Sequence, residues 1–205
     1  PLIGVTGSNG KTTVTQMCAG ILCAQARIDG FDPDLAVLAT RGNLNNDIGL
    51  PLMLLRLSGN HRSAVIEMGM NHPGEIGYLT HLAQPTVALV NNAQRAHLQG
   101  MGSVNEVARE KGAIYEGLSS DGVAVINIDD PFAGYWRSIN GGRRILTFGL
   151  SADADVSARC TSHGFASDVV LNSPKGEARF RRQGVSHVML AGHLEAEPGL
   201  TLGRV

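Results

Sequence analysis

A chain of 205 residues with 17 Lys and Arg against 18 Asp and Glu, a formal net charge of -1, lacks the basic surface of a nucleic-acid binder, and its adjacent arginines stop at the pairs Arg143-Arg144 and Arg181-Arg182. Aromatic residues are only 4% and glycines number 26, which disfavours a base-stacking platform and suits an α/β protein with tight strand-to-helix turns. No stretch is long and apolar enough to span a bilayer and no basic signal region precedes the first apolar run, so membrane insertion is not expected and a cytoplasmic location is.

The chain opens on Leu2-Ile-Gly-Val5, a short apolar run that predicts a buried parallel strand. It breaks into Thr6-Gly-Ser-Asn-Gly-Lys-Thr-Thr13, the pattern of a phosphate-binding loop. Gly7 and Gly10 let backbone N–H groups turn toward an anion, and Lys11 opens a helix whose N-terminus adds more donors. The general G-x-x-x-x-G-K-[ST] pattern wants glycine where this chain has Val5, so the match is the narrower Thr6-Gly7-x-x-Gly10-Lys11-Thr12. Gly7, Ser8, Asn9, Gly10, Lys11, Thr12 and Thr13 are the candidate nucleotide cradle. Lys11 is a candidate catalytic residue because its ammonium would reach the outer phosphates, and the Thr12 hydroxyl falls where a phosphate-bound metal takes a protein ligand. The plainer alternative is a glycine-rich turn without a ligand.

Residues 13–27 carry apolar side chains at Val14, Met17, Cys18, Ile21 and Leu22, the spacing of a helix with one buried face. Cys18, Cys23 and Cys160 are odd in number and lack metal-like pairing, so buried thiols of a reducing compartment are expected. A turn at 31–34, a strand over 35–39, a loop over 42–51 dense in side-chain amides and a short helix over 51–57 follow. Residues 64–68 predict a strand with Glu67 near its end. In an open parallel sheet ligands sit at the C-terminal ends of strands, so Glu67 is placed to reach a metal; a surface acid beside a turn is the alternative.

A helix over 75–82 and a buried strand over 85–90 precede Asn91-Asn92 and a segment containing His97. Standing alone, such a histidine is more often structural. Ser103 with Glu106 three residues on is a capping box, and the helix it starts carries Val104, Val107, Ala108, Lys111, Ile114 and Tyr115. Lys111 therefore lies on the apolar stripe, where a lysine ordinarily snorkels to solvent unless a polyphosphate site gives it work. A strand over 122–127, a helix capped at Asp129-Asp-Pro131 and running to Ile139, and a strand over 144–148 complete a parallel core. From about residue 153 the pattern alternates, with a tight turn at Ser173-Pro-Lys-Gly176. The expected fold is α/β, a P-loop-type, mostly parallel sheet flanked by helices, with a small appended antiparallel sheet. Residues 1–150 would form the core, 151–192 the appended sheet and 193–205 a divergent tail. A central strand beginning at the second residue suggests a domain of something longer.

Thr6-Gly-x-x-Gly-Lys-Thr-Thr13, Glu67 at a strand end, His97 after Asn91-Asn92, Lys111 in Lys-Gly-Ala-Ile-Tyr, and Asn127-x-Asp-Asp130 together resemble the ATP-binding central domain of the Mur ligases, which build the peptide of bacterial cell-wall precursors. Within that family, Gly42-Asn-Leu-Asn-Asn-x-Ile-Gly-x-Pro51, Glu67-Met-Gly-Met-Asn-His-Pro-Gly-Glu-Ile76 and His97-Leu-x-Gly-x-Gly-Ser103 look most like the branch that adds D-Ala-D-Ala to UDP-MurNAc-tripeptide. The likeness covers residues 2–149 through specific motifs and the appended sheet more weakly. After Gly192 the chain departs from the family's Gly-Arg-His-Asn segment, and the family's N-terminal UDP-binding domain and C-terminal domain are not expected within these residues.

The resemblance implies an ATP- and Mg2+-dependent ligase working through an acyl phosphate, monomeric, with UDP-MurNAc-tripeptide and D-Ala-D-Ala as partners and no nucleic acid. It implies that Thr12 and Glu67 share one Mg2+, that His97 holds a second, and that Lys111 is carbamylated so that it can bind or orient that metal. Asn127 would belong to the nucleotide site. Asn43, Asn45 and Asn46 would contact the muramoyl peptide, with Asn71 and His72 on the same side. Other Mur-type ligases, a folylpolyglutamate synthase-like enzyme, a generic P-loop ATPase and a catalytically silent nucleotide-binding fragment remain as alternatives. The Asn43-Leu-Asn-Asn46 and Asn71-His72 loops speak against the first two, and a generic ATPase has no use for His97 and Lys111. Of the chain by itself, inactivity in ligation is expected.

Overall fold

The computed structural model describes residues 1–95, 102–163 and 166–183. Its strands are β1 (Leu2–Thr6), β2 (Val37–Ala39), β3 (Ser63–Glu67), β4 (Val87–Val90), β5 (Val123–Asn127), β6 (Arg144–Gly149), β7 (Val156–His163), β8 (Ala166–Ser173) and β9 (Gly176–Gln183). Among the described residues they form one sheet in the order β2-β3-β1-β4-β5-β6-β7-β8-β9. Pairing is parallel from β2 through β7 and antiparallel from β7 to β9. The helices are α1 (Lys11–Ile28), α2 (Pro33–Ala36), α3 (Gly49–Leu54), α4 (Glu75–Ala83), α5 (Val104–Gly112) with a 3-10 turn over Ala113–Gly117, and α6 (Ala133–Ile139).

The parallel strands are short runs of apolar residues because both of their faces are covered. Alternation along β3 distributes its side chains between two cores. Ala64 and Ile66 join Leu50, Met53, Leu79, Ile114 and Trp136 in the larger one, while Val65 packs with Val5 and Ala19 beneath α1. The loops at the C-terminal ends of β1, β3, β4 and β5 are thereby collected along one rim of the sheet.

Local chemistry moves several predicted boundaries. Residues 33–36 are helical, in place of the end of the expected turn and the first two residues of the expected strand, because Asp32 accepts the Asp34 N–H at 3.0 Å and Pro33 fills the first helical position. The short helix expected over 51–57 starts earlier, at Gly49, whose N–H donates to Asn46 Oδ1 at 2.8 Å. The helix expected from the Asp129-Asp-Pro131 cap begins at Ala133. Asp130 turns instead to the N–H groups of Phe132 and, across the sheet end, Ala93, at 2.9 and 2.8 Å.

The antiparallel part is continuous with the core. β7 starts as a parallel neighbour of β6, through Phe148↔Val156 and Gly149↔Ser157, and only β8 and β9 reverse. Residue 150 is thus no break in the sheet. The expected extension to 192 and the tail 193–205 lie outside the described residues. The three thiols are less buried than expected: Cys18 and Cys23 are half-buried and Cys160 is exposed, on the stretch of β7 beyond Ala158 where burial falls away.

α4 docks on the 3-10 turn through Thr80, whose hydroxyl donates to the Ile114 carbonyl at 2.8 Å. A Cβ on Gly117 would lie 2.6 Å from the Thr80 carbonyl oxygen, so Gly117→Ala is expected to lower stability by about 1–3 kcal/mol. Urea denaturation checks this; an unchanged midpoint would contradict the docking.

Candidate active site

The glycine loop leaves β1 buried at Thr6 and Gly7 and emerges at Asn9 and Gly10. Gly10 adopts φ 75° and offers α1 no side-chain cap, so the first-turn N–H groups of α1 are left for an outside acceptor. The loop is moored to the chain after β4. Ser8 N–H donates to Asn92 O at 3.0 Å, Asn9 N–H to Asn92 Oδ1 at 2.9 Å, and Asn91 Nδ2 to Asn9 O at 2.8 Å. Gln94 adds an N–H to Ser8 Oγ at 2.9 Å. Gly7 admits this close approach, since a Cβ there would meet Asn91 Cβ at 2.9 Å. Asn127 belongs to the same support, with Nδ2 donating to Asn91 O at 2.9 Å. Thr12 is exposed and Thr13 half-buried on the first turn of α1.

Glu67 is brought to the loop by register: Val5 and Glu67 are paired residues of β1 and β3. It is 2% exposed, its N–H donates to Thr40 Oγ1 at 2.9 Å, and its Oε1 accepts Asn45 Nδ2 at 2.8 Å. Oε2 is buried without a hydrogen-bond partner. A buried carboxyl group with one oxygen unsatisfied is costly, and a cation at Oε2 would complete it. Among the described residues no three His, Cys, Asp or Glu side chains cluster as a self-sufficient metal site. A hydroxyl at Thr12 and one carboxylate oxygen at Glu67 instead suit Mg2+, which takes most of its ligands from phosphate and water.

Two lysines share this electrostatic field. Lys11 Nζ donates to Gly7 O at 3.0 Å; burial lowers its pKa, against the attraction of Glu67. Lys111 is 1% exposed and does not snorkel. Burial first, then repulsion from Lys11, lower its pKa to about 7, with Glu110 opposing. A neutral amine is therefore accessible near neutral pH, where an ordinary lysine is protonated.

The expected substrate side is organised around Asn45, which reaches Glu67 with its side chain and accepts the Gly69 N–H with its carbonyl at 2.7 Å. Asn43 is exposed, and Asn46 spends its Oδ1 on α3. Asn71 and His72 are exposed on the loop after β3, their N–H groups held by Glu75 Oε2 at 2.5 and 3.1 Å. His97 lies outside the described residues. Thr40, Asn91, Asn92 and Gln94 were not expected in the site. Position after a buried strand is the one signal that could have found the two asparagines, whereas Thr40 and Gln94 carry none.

A family model described as the Mur ligase middle domain matches residues 5–189. The chain belongs to the Mur ligase family. The UDP-N-acetylmuramoyl-tripeptide--D-alanyl-D-alanine ligase of Haemophilus influenzae is 42% identical over 98% of this chain and 43% of its own length. A crystal structure of MurF from Acinetobacter baumannii superposes with a TM-score of 0.78 at 34% identity, covering 89% of this chain and 38% of that one. The MurF ligase from Thermotoga maritima, determined in complex with ADP, gives 0.75 at 27% identity, covering 89% and 40%. The chain spans less than half the length of these Mur relatives.

For Lys111 the unfolded chain, with a lysine near the ordinary 10.5, holds a proton that the folded chain has lost between about pH 7 and 10.5. Stability therefore rises with pH across that window; burial of the cation is fully penalised below it and not at all above it. In CO2-free buffer Lys111→Met is expected to raise stability by on the order of a few kcal/mol at pH 7, the advantage fading toward pH 10. Thermal melts over that range check it, and a pH-independent difference would contradict it.

Proposed function

We propose that this chain is the nucleotide-binding core of an ATP-dependent carboxylate-amine ligase of peptidoglycan precursor synthesis, which joins D-Ala-D-Ala to UDP-MurNAc-tripeptide. The observation that carries the proposal is the Val5↔Glu67 register, which sets a buried acid with an unpartnered oxygen beside a loop whose helix offers uncapped N–H groups. Family membership and the names of the relatives support the substrates. Completed ligation is assigned to a longer polypeptide, acting in the cytoplasm where ATP and nucleotide-linked precursors are available.

Phosphoryl transfer asks a protein mainly to position two anions and neutralise developing charge. The N–H groups of the first turn of α1 and the Lys11 ammonium receive the phosphates. A peptide carboxylate oxygen attacks the γ-phosphorus as its bond to the bridging oxygen breaks, giving ADP and an acyl phosphate. The amine of D-Ala-D-Ala then attacks the acyl carbon, loses a proton, and inorganic phosphate departs. Thr12 and Glu67 would hold Mg2+, which would supply charge neutralisation for the phosphates. Asn43, Asn45, Asn46, Asn71 and His72 orient the peptide, and Asn127 steadies the nucleotide side through Asn91. By family resemblance His97 serves a second Mg2+.

Lys111 acts as an anion: its neutral amine adds to CO2, forming an N–C bond and losing a proton to give a carbamate. With 13C-bicarbonate, a carbamate carbon signal is expected for the wild-type chain and not for Lys111→Met; the same spectrum from both would contradict the modification.

Calorimetric titration of the 205-residue chain with a non-hydrolysable ATP analogue and Mg2+ tests the nucleotide site. Loss of a charge-assisted contact in Lys11→Ala is expected to weaken binding roughly ten- to a hundredfold. Equal affinity in the variant, or no binding by the wild-type chain, overturns the loop as a nucleotide site of this chain.

A further inference from the structure

Glu110 precedes Lys111 on α5, yet its carboxylate leaves that helix. Its two oxygens accept the backbone N–H groups of Gly74 and Ile76, each at 2.8 Å, from 36 and 34 residues away. Gly74 has φ 88° and supplies α4 with no cap of its own, so the N–H of Gly74 and one first-turn N–H of α4, that of Ile76, are satisfied by an acid from another helix. Local capping by Ser, Thr, Asp or Asn is the usual solution. The same loop is held at two further points. Glu75 takes the N–H groups of Asn71 and His72 and meets His72 Nδ1 at 3.1 Å, and Gly69 N–H donates to Asn45 O. One end of the loop is thus tied to the residue that hydrogen-bonds Glu67, and the other to the neighbour of Lys111. α4 itself is anchored independently, by buried Ile76 and Leu79 and by the Thr80 hydroxyl.

We infer that Glu110 is a positioning residue, a two-pronged clamp that fixes the 69–74 loop against the helix carrying Lys111 and so sets how Asn71 and His72 meet the peptide substrate. The identity of that substrate rests on the proposed ligase function; the clamp does not. An ionised carboxylate is an acceptor at both oxygens and can take two N–H donors at once. The isosteric amide sets its NH2 against one of those donors, and aspartate is a methylene short.

The test uses Glu110→Gln and Glu110→Asp in the 205-residue chain, with hydrogen–deuterium exchange by peptide, thermal midpoints, and calorimetry against UDP-MurNAc-tripeptide at saturating Mg2+ and ATP analogue. In Glu110→Gln, exchange in 69–76 is expected to accelerate about tenfold or more while the glycine loop and the thermal midpoint hold. Tripeptide affinity should fall about tenfold with nucleotide affinity within about twofold, and Glu110→Asp should recover part of the loss. Unchanged exchange in 69–76 overturns the clamp. Faster exchange without loss of tripeptide affinity, or with an equal loss of nucleotide affinity, overturns the positioning role. A wild-type chain that binds nucleotide but no tripeptide refutes presentation of Asn71 and His72 to that peptide by this chain alone, and the exchange data then decide the clamp.

Discussion

Parallel pairing of β1 between β3 and β4 is the constraint on which the site depends. One register places Val5 beside Glu67, and the other places Thr6 beside Val90. Because side chains alternate with a period of two, a slip of one residue would turn Glu67 toward the opposite face and carry Asn91 away from the loop. The apolar contacts that forbid the slip, Val65 under α1 and Ile66 in the larger core, lie well below the rim. Fold stability and site geometry are therefore set by the same residues, and the polar groups above them need only local hydrogen bonds to reach their places.

The rim holds opposed charges at close quarters and in partial burial. Lys11 and Lys111 repel, Glu67 attracts Lys11, and Glu110 attracts Lys111. Burying such groups is unfavourable unless each finds a counter-charge or changes its protonation state. Lys111 takes the second course. The unpartnered oxygen of Glu67 is the complementary case, an acid left with an open valence toward a cation. Both are local departures from good folding practice, of the kind that functional sites retain.

Much of this was legible in the sequence. The glycine loop, the acid near the end of β3, and the capped helix carrying Lys111 each rest on local signals, and local signals survive folding. Less was legible where distant chain segments compete. Asp32-Pro33 reads as a turn ahead of an apolar run but caps a helix. Asp130 reads as a helix cap but prefers Ala93 across the sheet end. Glu110 carries no signal in the sequence, since no periodicity tells that a side chain will cap another helix. The continuity of β6 with β7 was hidden for a similar reason: two pairs of residues, Phe148↔Val156 and Gly149↔Ser157, suffice to weld a ribbon to a sheet, too few to leave a pattern.

On the proposed function, the contact between Lys11 Nζ and Gly7 O would give nucleotide capture the character of an exchange reaction. The ammonium already has an oxygen partner, so a phosphate gains only the difference between its own hold on the cation and that of the carbonyl it displaces. Selectivity follows from the same balance. A singly charged or neutral oxygen scarcely betters the carbonyl, whereas a polyanion does, and a loop so built would discriminate by charge density before any base or sugar is touched.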